Sequence, residues 1–456
     1  MDARLALDMT AARLRLYIRE RWPRQRVQAY QQRRLQALRE FARARSPFYR
    51  KFHHGLERAP LAELPVLTKA VMMENFDDLV TDRALRLSEI ERHAACAPPG
   101  LPLDGKYWIC RTSGTTGTPG TFVFDRSEWA AALASGSRGL GWARGNPSLF
   151  PRTRYAAVLS GASWHYSAQA RGSIPTWLMP MLWLAADDPL PAIVEALNRW
   201  QPHVLQTFPS VAHVLAAEQA AGRLHIGPRV VTTSSEVLTP EARRLIQSAW
   251  GKPPFDTYGC TEAGIVASEC QRHSGLHLYE DRVAVEVVDE RNNPVPPGEL
   301  GAKVLVTVLF TRTQPLIRYE IGDMIRLARD PCPCRRGYPL IEEIQGRIED
   351  VLRFPARDGG EVSIQPAVFE DIVESVPSTG WQVIQDGSGL TVLISGMTGG
   401  SGTIRQGIEQ ALRSRGAVVP AIRIDQVPAI PRSASGKAPL IKCNLPRSDR
   451  GSASNA

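Results

Sequence analysis

The side chains best suited to chemistry lie in a few short clusters. One is Arg111-Thr112-Ser113-Gly114-Thr115-Thr116-Gly117-Thr118-Pro119-Gly120. It stands between two β-rich runs, 107–110 and 121–124. Glycines let the backbone approach a ligand closely, and bare N–H groups with hydroxyls can donate to phosphate oxygens. The run is not a Walker A loop, because Gly117 is followed by Thr118-Pro119 and a strand instead of Lys and a helix. A second cluster is Asp256-Thr257-Tyr258-Gly259-Cys260-Thr261-Glu262. Here Tyr258 can stack on adenine, Asp256 can accept its exocyclic amine, and Glu262 can hold Mg²⁺, which prefers oxygen ligands. The plain alternative is a strand-to-loop junction with incidental charge. A third is Pro431-Arg432-Ser433-Ala434-Ser435-Gly436-Lys437, a loop able to bring one compact cation to a reacting carboxylate and phosphate.

Two further groups carry a choice. Cys270 and His273 form a Cys-x2-His, and Cys332-Pro333-Cys334 is a tight pair. Three thiolates and one imidazole satisfy tetrahedral zinc; the alternative is buried free cysteines and a surface histidine. The aromatic residues around His165, Tyr166 and Phe208 suit the wall of a pocket for a flat aryl ring, and equally suit a core.

The Thr/Gly loop resembles the phosphate-binding loop of the adenylate-forming superfamily, which comprises acyl-CoA synthetases, peptide-synthetase adenylation domains and luciferases. The pattern there is Ser/Thr-Ser-Gly-Thr-Thr-Gly-x-Pro-Lys, and Gly120 stands in place of the lysine. The phenylacetate-CoA ligase branch also lacks that lysine. The run Ser46-Pro47-Phe48-Tyr49-Arg50 and the later Leu64-Pro65-Val66-Leu67-Thr68-Lys69 resemble the same branch. Tyr258-Gly259-Cys260-Thr261-Glu262 matches the superfamily's Tyr-Gly-x-Thr-Glu. The resemblance implies Thr112, Ser113, Gly114, Thr115, Thr116 and Gly117 around the phosphates. It implies Ser235 and Glu236 in the adenine-contacting segment together with Asp256, Tyr258 and Gly259. Thr261 falls on the α-phosphate, Glu262 on Mg²⁺, and Asp323 and Arg347 on the ribose or phosphate. Asp350 is the implied hinge, and Lys437 the implied catalytic lysine with Thr261 and Glu262. Some branch members carry zinc where Cys270, His273, Cys332 and Cys334 lie, which would hold the Asp323 region to the Glu262 loop.

The elements that must position these residues are legible as a pattern. Apolar strand candidates alternate with helix candidates from 107 to about 330, as in an α/β domain with ligands at strand ends. Residues 10–45 read as a helix with Leu35, Leu38 and Ala42 on one face. Runs 283–288 and 304–309 read as antiparallel strands. After Asp350 a small α+β unit follows. With the resemblance, the expected architecture is α/β: a large N-terminal domain, 1–349, of two α/β sheets with a small β-rich subdomain. A small mobile α+β domain, 350–446, and a flexible tail, 447–456, complete it.

Composition agrees with a globular enzyme: 43% hydrophobic and 22% charged residues. The net charge of +9 favours polyanionic ligands. No aromatic-studded basic motif supports nucleic acid, and no apolar run approaches bilayer-spanning length, so neither nucleic acid nor a membrane is expected as a partner. The seven cysteines give no disulfide framework, and the N-terminus has no signal-peptide core; a cytoplasmic location is expected. The implied reaction uses ATP and Mg²⁺ to convert a carboxylic acid, of aromatic type, into an acyl-adenylate, then passes the acyl group to coenzyme A. A carrier protein's phosphopantetheine or an amine stays open as the acceptor, a homodimer as the assembly, and a degenerate nucleotide-binding regulator as the alternative of another class.

Overall fold

The structure, a computed structural model, describes residues 3–112, 119–145, 152–174, 179–397 and 399–445. Ser113, Gly114, Thr115, Thr116, Gly117 and the tail 447–456 lie outside the described residues. The chain divides into two compact units. The first runs to Ile344 and takes in Ala434–Lys437; the second spans Gln345–Ser433 and resumes at Ala438.

The helical stretch near the N-terminus is two helices, Ala3–Arg19 and Arg24–Arg45, separated at Pro23. Proline has no N–H to continue a helix and interrupts the expected single element. Ser46 then ends the second helix and caps Pro47–Phe52 by accepting the Tyr49 N–H. Leu35, Leu38 and Ala42 are buried, on the face expected. Thr68 caps Lys69–Glu74 in the same way.

The strands of the first unit are β1 (Tyr107–Arg111), β2 (Thr121–Asp125), β3 (Tyr155–Leu159), β4 (Met181–Ala185), β5 (Val204–Thr207), β6 (Val230–Ser234), β7 (Phe255–Cys260), β8 (Gly264–Glu269), β9 (Leu276–Leu278), β10 (Val283–Val288), β11 (Lys303–Val308), β12 (Tyr319–Ile321), β13 (Asp323–Leu327) and β14 (Leu340–Arg347). They form a β1–β2 hairpin, an antiparallel sheet β10-β11-β12 and a nine-stranded sheet in the order β13-β14-β9-β8-β7-β6-β5-β3-β4. β4, β3, β5, β6 and β7 are parallel neighbours; β7, β8, β9 and β14 are antiparallel. The class is α/β with several sheets, as expected. Helices join the parallel strands, as a crossover requires. Leu190–Trp200 and Pro240–Trp250 both carry proline in the first turn and end on left-handed residues, Gln201 and Gly251. The interior of β3 and β5 is an apolar cluster containing Val158, Leu205 and Phe208.

One buried ion pair ties distant segments. Both nitrogens of the Arg138 guanidinium fork donate to Asp281 at 2.8 Å, and both side chains are 0% exposed. Such a pair is costly to break because it would leave one charge buried alone. The second unit has a four-stranded sheet carrying the helices Pro366–Val373 and Ser401–Ser414, with its own apolar core around Phe369, Val392 and Ile408.

Candidate active site

The neck of the Thr/Gly loop is closed by Thr112. Its N–H donates to the Gly120 carbonyl at 3.0 Å, and its Oγ1 accepts the Gly120 N–H at 2.8 Å. The hydroxyl oxygen of Thr112 thus helps pair the two strands at the base of the hairpin, and its O–H remains a donor. Arg111 N–H donates to Trp164 O at 2.9 Å, which brings the hairpin beside the segment leading into His165.

Thr261, Glu262 and Ala263 form the turn between β7 and β8. The register shifts at Tyr258/Gly259, a bulge of the kind that re-aims side chains at sites. Gly259 permits this packing: a Cβ there would lie 2.8 Å from the Gly264 carbonyl oxygen. Gly264 itself has φ 70°, and a Cβ on it would lie 2.7 Å from the Tyr166 hydroxyl. The sequence reading did not single out Gly264; its position two residues after the matched motif was the available signal. Glu262 and Asp323 are both buried. The Tyr258 hydroxyl donates to Asp323 Oδ2 at 2.6 Å. Burial pushes the Tyr319 hydroxyl far up, helped by the charge of Glu262 and a hydrogen bond to it. Burial and the charges of Glu262 and Asp323 do the same to the Cys260 thiol. Glu262 in the turn and Asp323 at the start of β13 are thus buried carboxyl groups with tyrosine hydroxyls as donors, an arrangement that suits a cation.

Asp256 is buried and accepts the Thr233 hydroxyl at 2.8 Å. Burial, then the charge of Glu269, pushes its carboxyl up to about 7. Glu269 accepts the Asp256 N–H at 3.0 Å and pairs with Arg243 at 2.7 Å. Neither Glu269 nor Arg243 carries a motif, and the sequence reading missed both. Ser235 is exposed with φ 71°, a conformation few non-glycine residues adopt. Glu236 accepts the Ser210 N–H at 3.0 Å.

Ala434–Lys437 belongs to the first unit. Gly436 has φ 75°, and a Cβ there would lie 3.2 Å from the Ala186 Cβ. Burial, with the charge of Lys437 added, pushes the His165 imidazole down to about 3, so it is neutral near pH 7. Its Nδ1 lies 2.8 Å from the Ser167 hydroxyl and caps the helix Tyr166–Ser173. Tyr166 packs edge-on against Trp129 at 5.2 Å between centroids. Phe208 is 0% exposed in the apolar cluster under β3 and β5. It also stands beside the Lys437 loop: a Cβ on Gly436 would lie 3.8 Å from its ring. Arg347 and Asp350 lie in the second unit, where Asp350 Oδ2 accepts the Arg347 N–H at 3.1 Å.

The cysteine cluster differs from the expected set by one ligand. Cys270, Cys332, Cys334 and His277 bring their ligand atoms within 4.8 Å of one another. Cys334 Sγ is 3.3 Å from His277 Nε2, and Cys270 Sγ is 3.7 Å from Cys332 Sγ. His273 is not in the group. It follows Cys270 in a left-handed turn, φ 48°, which aims its Nδ1 at Glu269 Oε2, 3.0 Å away, and lays its ring on Phe255. His277 reaches the thiols because β9 runs antiparallel to β8 and β14. Burial first, then the Arg336 charge, pushes His277 down to about 4, leaving a neutral imidazole with a lone pair for a metal.

The AMP-binding enzyme family profile matches residues 28–306. The chain belongs to the AMP-binding enzyme family. Among curated relatives of this family member, the phenylacetate-coenzyme A ligase of Thermus thermophilus is 25% identical over 78% of this chain and 77% of its own length. The phenylacetate-coenzyme A ligase of Pseudomonas putida is 29% identical over 53% of this chain and 54% of its own. The fold is shared with a crystal structure of 2-hydroxyisobutyryl-CoA ligase in the postadenylation state in complex with 2-HIB-AMP. Its TM-score is 0.70 at 21% identity, over 94% of this chain and 91% of that one.

Proposed function

We infer that this chain is an AMP-forming acid–CoA ligase. A carboxylate oxygen of the acid attacks the α-phosphorus of ATP; a new P–O bond forms and pyrophosphate leaves. The thiolate of coenzyme A then attacks the acyl carbon, and AMP leaves with the electron pair of the broken C–O bond. Activation is needed because a free carboxylate is a poor electrophile. The observation that carries this reading is the β7–β8 turn, in which the matched Tyr258-Gly259-Cys260-Thr261-Glu262 sets buried Glu262 beside the charge field of Asp323.

In this reading the first unit binds acid and ATP, and Asp350 is the hinge to a mobile second domain. Thr261 contacts the α-phosphate, Tyr258 stacks on adenine with Asp256, Gly259, Ser235 and Glu236 around it, and Asp323 and Arg347 hold the ribose. Glu262 would hold Mg²⁺, which supplies charge neutralisation of the phosphates. Lys437 donates to the shifting negative charge during adenylation and acts mainly by positioning and charge. The acid is an aromatic one, supported by the similarity to phenylacetate-coenzyme A ligases and by the aromatic side chains near His165. A structural zinc fits Cys270, His277, Cys332 and Cys334, whose donor set is that of a closed tetrahedral site. The test is pyrophosphate exchange into ATP with a panel of aromatic and aliphatic acids. Exchange that depends on an aryl acid and Mg²⁺ is expected; no exchange with any acid would remove the assignment.

A further inference from the structure

The first helix, Ala3–Arg19, has two apolar faces. Leu5 and Leu16 are buried on one. On the other, Leu7 is 69%, Leu14 60% and Ile18 54% exposed, and Tyr17 beside them is 46% exposed. Among the described residues six large apolar side chains stand exposed, and these are four of them. The remaining two, Leu101 and Val418, are isolated, so this is the place where exposed apolar surface is concentrated. Leu7, Ala11, Leu14 and Ile18 follow at steps of four, three and four residues, and share one side of the helix. A water-facing helix surface has no reason to carry such a stripe, and contiguous exposed apolar surface marks a contact.

The charges around the stripe indicate the chemistry of that contact. Exposed Arg4, Arg15 and Arg21 border it, against one exposed acid, Asp8. Arg21 reaches over Tyr17, donating to its hydroxyl at 2.6 Å with the guanidinium 4.9 Å from the ring centroid. Just beyond the helix, exposed Arg26 lies over the Trp22 ring at 4.3 Å. Aliphatic side chains rimmed by arginine and flanked by exposed Tyr17 match an interfacial helix lying flat in a headgroup layer. The whole chain adds +9 of net charge, which steers it to an anionic surface. A second copy would set one basic rim against another, and a single helix face supplies little of the roughly 800 Å² per partner that a stable interface buries. No helix among the described residues is long and apolar enough to cross a membrane, so the contact is one of lying on a surface.

We propose that the outer face of the helix Ala3–Arg19, through Leu7, Leu14, Ile18 and its arginine rim, docks the enzyme on anionic lipid bilayers. This stands apart from the reaction assigned above, and its test does not use activity. Purified full-length protein is sedimented with vesicles of phosphatidylcholine alone and of phosphatidylcholine with about one-third phosphatidylglycerol. Binding to the anionic vesicles is expected, at least ~10-fold stronger than to neutral ones and weakened by salt. Leu7→Ser/Leu14→Ser/Ile18→Ser should cut binding ~10-fold or more with circular dichroism and thermal unfolding unchanged. If that variant does not fold, Arg15→Gln/Arg21→Gln should lose the preference for anionic vesicles. Absence of binding to anionic vesicles overturns the proposal. So does light scattering that shows a dimer which the triple substitution converts to monomer, since a second copy then covers the stripe.

Discussion

The two ends of the β8 strand are built in different ways. At one end, the turn Thr261-Glu262-Ala263 is polar, bulged and glycine-dependent, with Glu262 and Asp323 buried as acids. At the other, Cys270 follows the strand directly and meets His277, Cys332 and Cys334. β13 repeats the arrangement, beginning at Asp323 and leading on towards Cys332. One end buries carboxyl groups, which costs stability and, on the proposed reading, serves chemistry. The other gathers soft ligands from distant segments, which serves stability when a metal joins them. Substitutions at the first end should therefore alter rates, and at the second should alter unfolding.

The sharpest separation is expected at Lys437. Lys437→Ala should cut adenylate formation by about 10²-fold or more, the scale of losing one oriented donor, while thioester formation from supplied acyl-adenylate and the melting temperature stay near wild type. Assaying the half-reactions separately decides this; equal loss in both would show that the lysine acts in more than the first step. Next, Glu262→Gln should raise the Mg²⁺ concentration needed for half-maximal exchange by roughly tenfold, the loss of one charged ligand, again with little change in unfolding. A large fall in melting temperature would mean that the acidic turn is structural and would erase the contrast.

At the thiol end the two histidines provide the comparison. His277→Ala should release zinc on metal analysis and lower the unfolding midpoint by several degrees, on the order of 2 kcal/mol or more. His273→Ala should keep the metal and shift the midpoint far less, because it removes only a contact to Glu269 and Phe255. A different kind of effect lies in pH. The Asp256 carboxyl stands at about 7 in the fold against an ordinary value of 3.8. Between these values the folded chain holds a proton that the unfolded chain has released, so this group makes stability fall as pH rises. Asp256→Asn should flatten that part of the profile in denaturant titrations at pH 4 to 7; an unchanged slope would show that the buried acid is not a source of it.

What was legible in the sequence was local. Tyr258 to Glu262 could be recognised because the whole motif is one continuous stretch of chain, and β5 and β6 because their apolar runs are followed by helix starts at Pro209 and Pro240. The thiol cluster was half legible. Cys-x2-His spacing pointed to His273, but a left-handed turn aims that ring at Glu269, and His277 arrives through strand pairing that no spacing reports. The network of Glu269, Arg243 and Asp256 was invisible for the same reason: its members meet only after β7 and β8 pair. Phe208 could be either wall or core by type, and its burial fits both. The role of Thr112 at the neck of the hairpin, where its hydroxyl oxygen accepts the Gly120 N–H, was likewise not legible from its type.

The placement of Ala434–Lys437 has a consequence in time. The segment belongs to the first unit, yet the chain reaches it only after passing through the 345–433 stretch of the second. During vectorial synthesis, domains fold largely in the order in which they emerge. Strands β1 to β14 and the buried Arg138–Asp281 pair can all be complete on the ribosome while Lys437 has yet to be translated. On the proposed reading, the nascent enzyme acquires the turn that binds nucleotide long before it acquires the cation proposed for activation. The topology thus sets a schedule: if Lys437 has the proposed role, a chain that ends before it should hold ligand without beginning the reaction.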